Sequence, residues 1–141
     1  MTIRHMSTTP QRAKPREIED TELEIVIRWV RTWQRLYPGL EFLHHIPNGG
    51  KRNKIVAIKL KRRGVLPGVC DLFLPHARGG YFGLYIEMKA PKNYHSTITG
   101  SQRAFMSGVK QQNYSVVLCY GAEEAKRAIM SYYQQEPTRC I

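Results

Sequence analysis

The spacing of apolar residues along the chain first predicts a long helix near the amino terminus. Apolar side chains recur every three or four residues over residues 21–37, which is the period of one helix face. Asp20 or Thr21 can cap its start, and Pro38 with Gly39 marks its end. The preceding residues, 1–19, are basic and lack this period, which predicts a flexible arm.

The rest of the pattern alternates between strands and helices. Strands are predicted over 40–46, 69–74, 81–89 and 115–120, and helices over most of 51–63, 101–111 and 122–133. The short gap between the second and third strands predicts an antiparallel hairpin. This order indicates an α/β fold, a small mixed sheet flanked by helices. One domain over 20–134 and a tail over 135–141 complete the predicted organisation.

The charge of the chain points to an anionic partner. Its 141 residues include 22 Lys and Arg but only 11 Asp and Glu, a formal net charge of +11. Such a basic domain is typical of nucleic-acid-binding proteins, with an anionic membrane surface as second candidate and a merely basic surface as the alternative. Seven cations crowd one segment and favour an edge that contacts phosphates over a solvated face. They are Lys51, Arg52, Lys54, Lys59, Lys61, Arg62 and Arg63.

The sequence gives no sign of export or of a membrane anchor. No apolar run approaches the ~20 residues that cross a bilayer. Residues 1–16 are basic but lack the apolar centre of a secretory signal. The three cysteines, an odd number, argue for reduced thiols, and we therefore expect a cytoplasmic protein.

Two acids and a lysine interrupt the apolar runs of the predicted hairpin. Asp71 opens the first run, and Glu87 and Lys89 end the second. Because side chains alternate along a strand, Glu87 and Lys89 project from one face. Buried charges must be paired or must bind a metal. Asp71, Glu87 and the backbone carbonyl of Met88 would supply the oxygen ligands that a hard cation such as Mg²⁺ takes.

A metal held there predicts phosphodiester hydrolysis. It would lower the pKa of a water molecule and stabilise charge on the scissile phosphate. Lys89 would orient or deprotonate that water, or stabilise the developing charge. Gln102, in the following predicted helix, would hydrogen-bond the water or the phosphate. The structural alternative is a plain buried ion pair between Lys89 and one of the acids.

Glu22, in the first predicted helix, has two interpretations. It shares a face with Val26, Trp29 and Trp33, on or beside the apolar stripe. An acid in the first turn is favoured by the helix dipole. Glu22 is therefore either such a residue or one that points into a site, and both interpretations stay open at this point.

An ordered set of short motifs resembles the VRR-NUC family, the virus-type replication-repair nucleases of the PD-(D/E)xK superfamily. The resemblance covers roughly residues 21–133. One departure is Cys70, which stands where many members have proline. The motifs are Pro47-Asn48-Gly49-Gly50, Gly64-Val65, Pro67-Gly68, Asp71-Leu72, Gly83-Leu84, Ile86-Glu87-Met88-Lys89 and Ser101-Gln102.

The resemblance implies a restriction-endonuclease-like core with an Mg²⁺- or Mn²⁺-dependent deoxyribonuclease site. It places metal ligands at Asp71 and Glu87, the catalytic lysine at Lys89, a glutamine at Gln102 and the first-helix glutamate at Glu22. Similar stand-alone proteins occur in phages and bacteria, and some cut branched DNA such as Holliday junctions as homodimers. The expected partners are DNA and a second copy of the chain, in a bacterial or phage-infected cell, with no small-molecule cofactor.

Three other functions match the sequence less well. A non-catalytic nucleic-acid-binding module would explain the charge but not Asp71 and Glu87, because acids repel phosphate unless a cation intervenes. A zinc site lacks ligand spacing, since no Cys-x-x-Cys pair exists and His44 and His45 would face opposite ways in a strand. A cysteine or serine nucleophile has no supporting arrangement.

Overall fold

The structure, a computed structural model, describes residues 12–48 and 53–139 of the chain. In this part four α-helices and a four-stranded sheet follow one another in the predicted order, which confirms the mixed α/β fold. The helices are α1 (Pro15–Trp33), α2 (Lys54–Arg62), α3 (Gly100–Gln111) and α4 (Ala122–Tyr133). The strands are β1 (His44–His45), β2 (Leu72–Leu74), β3 (Leu84–Lys89) and β4 (Ser115–Tyr120).

Helix α1 begins earlier than its apolar pattern predicts. Pro15 occupies the first helical position, where the N–H that proline lacks would have no intrahelical partner. Glu17 accepts a hydrogen bond from the main-chain nitrogen of Lys14 at 3.1 Å, which also favours a start here. The predicted span of this helix was therefore wrong at both ends, and residues 15–19 are helical rather than part of an arm.

The sheet has the strand order β1-β2-β3-β4. The predicted hairpin is confirmed, since β2 and β3 are antiparallel with Phe73 opposite Tyr85. Strand β4 runs parallel to β3, and α3 makes the crossover that parallel strands require. The first predicted strand, 40–46, is reduced to β1, because Leu40–Phe42 forms a 3₁₀ turn after Gly39, whose φ of 100° is left-handed.

The two faces of the sheet have different roles. Leu72 and Ile86 face the main core, where they pack with Val26 of α1 and Ile129 of α4. Because neighbouring side chains alternate, Glu87 lies on the opposite face, which α3 covers. Glu87 is thus held in a strand that has neighbours on both sides.

The described part of the predicted tail is bound to the body of the protein. Pro137 bridges Arg78 in the loop between β2 and β3. The Thr138 hydroxyl donates a hydrogen bond to the Tyr81 carbonyl oxygen at 2.6 Å. Residues 135–139 therefore close over the turn of the hairpin.

Two cysteines serve as small core residues. Cys70 and Cys119 are buried free thiols. Burial raises the pKa of each to about 12, so both remain protonated and unreactive near neutral pH. Within the part of the chain that the structure describes, no helix is long and apolar enough to cross a membrane.

Candidate active site

A cavity of about 810 Å³ lies between the first half of α1, helix α2 and the start of α3. Four acids line it, Glu19, Asp20, Asp71 and Glu87. Gly68 lets the loop after α2 close against α3, because a Cβ atom there would lie 2.3 Å from the main-chain carbon of Ser101. The cavity therefore gathers residues from between positions 15 and 102 of the chain at one end of the hairpin.

Asp71 is fixed immediately before β2. Its Oδ2 accepts a hydrogen bond from the Met88 main-chain nitrogen at 2.7 Å. Its own carbonyl oxygen accepts from the Ile46 nitrogen at 2.8 Å and lies 2.7 Å from Nδ1 of His45. Burial raises the pKa of Asp71, and the hydrogen bond from Met88 opposes this shift. Strand β3 thus holds the carboxylate at the cavity wall, while His45 and Ile46 hold the main chain of Asp71.

Glu87 is almost completely buried, with 1% of its surface exposed. Its Oε1 accepts a hydrogen bond from Nε2 of Gln102 at 2.6 Å, while its Oε2 is buried without a hydrogen-bond partner among the described residues. Burial, followed by the charge of Asp71, raises the pKa of Glu87 to about 8, and Lys89 partly offsets this. Such a carboxylate gains most from a nearby cation.

Lys89 and Gln102 join Glu87 in one cluster, as predicted. Lys89 Nζ lies 3.7 Å from Glu87 Oε1 and donates a hydrogen bond to the Gln102 amide oxygen at 3.2 Å. That oxygen also accepts from the Thr99 nitrogen at 3.0 Å, and Thr99 in turn caps α3. Helix capping therefore fixes the glutamine between the acid and the lysine.

The structure places Glu22 away from this cluster. Its Oε2 accepts a hydrogen bond from the Ala122 nitrogen at 2.7 Å, at the start of α4, where Gly121 offers no side-chain cap. Glu19, one turn earlier, lines the cavity instead, and the Ala90 nitrogen lies 3.4 Å from its Oε1. Glu22 therefore does not line the cavity, whereas Glu19 and Asp20 do, although sequence reasoning placed neither of them in the site.

The sequence does contain a signal for Glu19, but the predicted start of the helix at Asp20 or Thr21 left this residue outside the helix. It precedes Leu23 by four residues and Val26 by seven, so it lies on the apolar stripe of α1. Once α1 is seen to begin at Pro15, this acid is inside the helix. Two acids three residues apart then share one stripe, and their spacing alone does not distinguish them.

His44 and His45 point to opposite faces of β1, as alternation along a strand requires. His45 lines the cavity, whereas His44 packs against Phe73 with ring centroids 5.8 Å apart.

The cations of the basic segment also have different positions. Lys61 lines the cavity, and four further cations of the predicted edge are exposed on or beside α2. Those four are Lys54, Lys59, Arg62 and Arg63, while Lys51 and Arg52 lie outside the described residues.

The donor set at the cavity fits a hard divalent cation. Asp71, immediately before β2, and Glu87, in the neighbouring β3, present carboxylates, and Met88 also lines the cavity. Glu87 Oε2 is a buried oxygen to which none of the described residues donates a hydrogen bond. Among residues 12–48 and 53–139, no three His, Cys, Asp or Glu side chains form a metal-binding group by themselves. Two carboxylates suffice for Mg²⁺, which keeps several waters and takes substrate oxygens.

Comparison with known proteins identifies the family. The model of the VRR-NUC domain family matches residues 9–123. The chain belongs to the VRR-NUC family. A solved structure named a VRR-NUC domain protein is 29% identical and superposes with a TM-score of 0.71, covering 85% of this chain and 91% of the other. No curated protein matches the chain. VRR-NUC domains form a nuclease-type family. Nucleases of this kind need a divalent metal in general, and the family implies DNA as the substrate.

Proposed function

We propose that the protein is an Mg²⁺- or Mn²⁺-dependent endodeoxyribonuclease that hydrolyses phosphodiester bonds in branched or otherwise structured DNA. The observation that carries this proposal is the shared cavity of Asp71 and Glu87, with Lys89 3.7 Å from Glu87. Family membership supports the reaction class. The site then has the parts that hydrolysis needs, which are carboxylates for a cation, a fixed positive charge and room for a phosphate.

Each residue of the cluster has a role in this proposal. Asp71, Glu87 and the Met88 carbonyl would hold the metal, which supplies an activated water and neutralises phosphate charge. Lys89 is the donor that stabilises charge as the new P–O bond forms and one bridging P–O bond breaks. Gln102 positions Lys89 and Glu87 through hydrogen bonds at 3.2 and 2.6 Å. Glu19 takes the place first given to Glu22, because it lines the cavity.

Helix α2 would deliver the DNA. Lys61 lies in the cavity wall, and Lys54, Lys59, Arg62 and Arg63 extend positive charge outward from it. Cations arranged in this way neutralise phosphates and hold a strand over the acids. Each subunit carries one site, so paired cuts at a Holliday junction require a homodimer with twofold symmetry.

The decisive experiment is a cleavage panel with a Holliday junction, a flap, a duplex and a single strand. Cleavage is expected with Mg²⁺ or Mn²⁺, to stop in EDTA and to return when the metal is restored. A solution mass measurement tests the dimer. Binding without cleavage of any member of the panel would favour the alternative, a non-catalytic nucleic-acid-binding module.

A further inference from the structure

Helix α2 exposes apolar side chains beside residues that line the cavity. None of its nine residues, all of which the structure describes, is buried. Ile55 is 67% exposed and Ile58 is 44% exposed. At a spacing of three residues they lie on one face, and Lys61, three residues after Ile58, continues that row to the cavity, which Ala57 and Leu60 also line.

Exposed isoleucines on such a helix are available to a partner. A nine-residue helix is marginal by itself in water, and α2 is stabilised at its start by Asn53, whose side chain accepts a hydrogen bond from the Val56 nitrogen at 2.8 Å. Two isoleucines left in water contribute nothing to its stability. A molecule that docks on this face would bury them.

The charge around these isoleucines selects the partner. Residues 53–63 contain five Lys and Arg and no Asp or Glu. A second copy docked face to face would bring two such sets of cations together and repel itself. A polyanion is attracted, and the part of a polyanionic DNA that offers apolar surface is an unstacked base.

We infer that Ile55 and Ile58 form an apolar wedge that enters the DNA where its bases are already unstacked, at a branch point or strand exchange. The inference rests on the proposed function and adds the feature of DNA that is recognised. The wedge and the cavity-lining residues belong to one helix, ~10–12 Å thick, so a wedge in the branch holds a neighbouring phosphate close to the cavity. A continuous duplex must first be unstacked, which costs free energy and explains a preference for branches.

The test is the variant I55Q/I58Q, because glutamine removes the apolar surface and keeps helix propensity. Binding is measured in EDTA on a Holliday junction and on a duplex of equal length, with 2-aminopurine at the branch point. The variant is expected to lose about tenfold or more in affinity for the junction, little for the duplex, and the 2-aminopurine fluorescence change.

Two control variants separate the wedge from general effects. L36Q changes a leucine that is 67% exposed, like Ile55, in the turn beyond α1, and should leave both affinities unchanged. K59Q should weaken junction and duplex alike, because it removes a phosphate contact. Circular dichroism and melting curves confirm that each variant is folded.

Unchanged junction preference in I55Q/I58Q would overturn the wedge. A wild-type dimer that becomes a monomer in this variant would overturn it too, and would assign the face to a second copy. The proposed function fails separately. Suppose that the wild-type protein cuts no DNA with Mg²⁺ and that I55Q/I58Q binds the junction more weakly than the wild-type protein. The nuclease proposal is then contradicted and the wedge is supported.

Discussion

The side-chain amide of Gln102 links Glu87 to Lys89. Its nitrogen donates to Glu87 Oε1 at 2.6 Å, and its oxygen accepts from Lys89 Nζ at 3.2 Å. The same oxygen accepts from the Thr99 nitrogen, so the amide orientation is set by the cap of α3. This residue therefore holds the geometry of two others, and its contact with the water or the phosphate, which the sequence suggested, stays a prediction.

Replacing Gln102 by alanine is expected to lower cleavage about 10–100-fold and to raise the metal concentration needed for half-maximal activity, as losses in an outer shell of a metal site do. The shift in the metal titration is the informative readout, because loss of stability alone would lower the active fraction without moving it. Gln111→Ala, at the exposed far end of α3, is the control. An unchanged metal requirement in Gln102→Ala would contradict the linking role.

Asp71→Asn and Lys89→Ala should separate folding from catalysis. Asparagine keeps an oxygen for the Met88 nitrogen and removes the charge, so the protein should fold and lose metal-dependent cleavage. Lys89→Ala should cut the rate by about 10²–10³-fold, because it removes a fixed charge at the reacting phosphate. Single-turnover cleavage measures both, with Lys110→Ala on the exposed side of α3 as the control. Full activity in either site variant would contradict the site assignment.

The two acids of α1 give a matched pair of variants. Glu19→Ala should reduce cleavage while changing the melting temperature little. Glu22→Ala should cost about 0.5–2 kcal/mol in the free energy of unfolding, since it removes the cap of α4, and leave the activity per folded molecule unchanged. Urea unfolding and single-turnover cleavage together measure this contrast. If Glu22→Ala instead reduced cleavage and Glu19→Ala left it unchanged, the catalytic role would belong to Glu22.

These two acids also mark where sequence reasoning stops. The period of two along β3 was enough to place Glu87 and Lys89 together, because alternation in a strand is local geometry. In contrast, Glu19 and Glu22 lie on the same stripe of α1, and only the docking of α4 against that stripe assigns one to a cap and the other to the cavity. Tertiary packing made that choice, and no local pattern contains it.

Two further features depended on packing. The alternation of His44 and His45 was predictable, but the register of β1 on β2, which sends His45 to the cavity, was not. Likewise the cations of α2 were visible in the sequence. Which of them reaches the cavity depends on the loop at Gly68, which packs on α3.

Binding to DNA should weaken steeply with salt, because each neutralised phosphate contributes a slope of about −0.9 in log K against log salt. Lys61→Gln should reduce the magnitude of this slope by about one, since Lys61 lines the cavity. Lys126, which pairs with Glu123 at 2.9 Å on α4, provides the control, and Lys126→Gln should leave the slope unchanged. An affinity of the wild-type protein for DNA that does not change with salt would exclude phosphate contacts by the cations of α2.

Glu87→Gln should stabilise the metal-free protein above neutral pH. Burial raises the pKa of Glu87 to about 8 in the folded state, above its ordinary value of 4.5, so the group favours folding at acid pH. That contribution is lost as the pH rises from about 5 to 8, at up to about 1.4 kcal/mol per pH unit. Glutamine has no proton to lose and escapes this loss.

Urea unfolding in EDTA at several pH values measures the effect, and the gap between Glu87→Gln and the wild-type protein should widen from pH 5 to pH 8. Added Mg²⁺ should reverse the order, because a cation that binds the folded state stabilises the wild-type protein and has lost one of its two carboxylate ligands in the variant. Glu123→Gln, at an exposed position on α4, is the matched control. A pH-independent gap would mean that Glu87 is charged in the folded protein, held by Lys89 alone, and would favour the plain ion pair over a metal site.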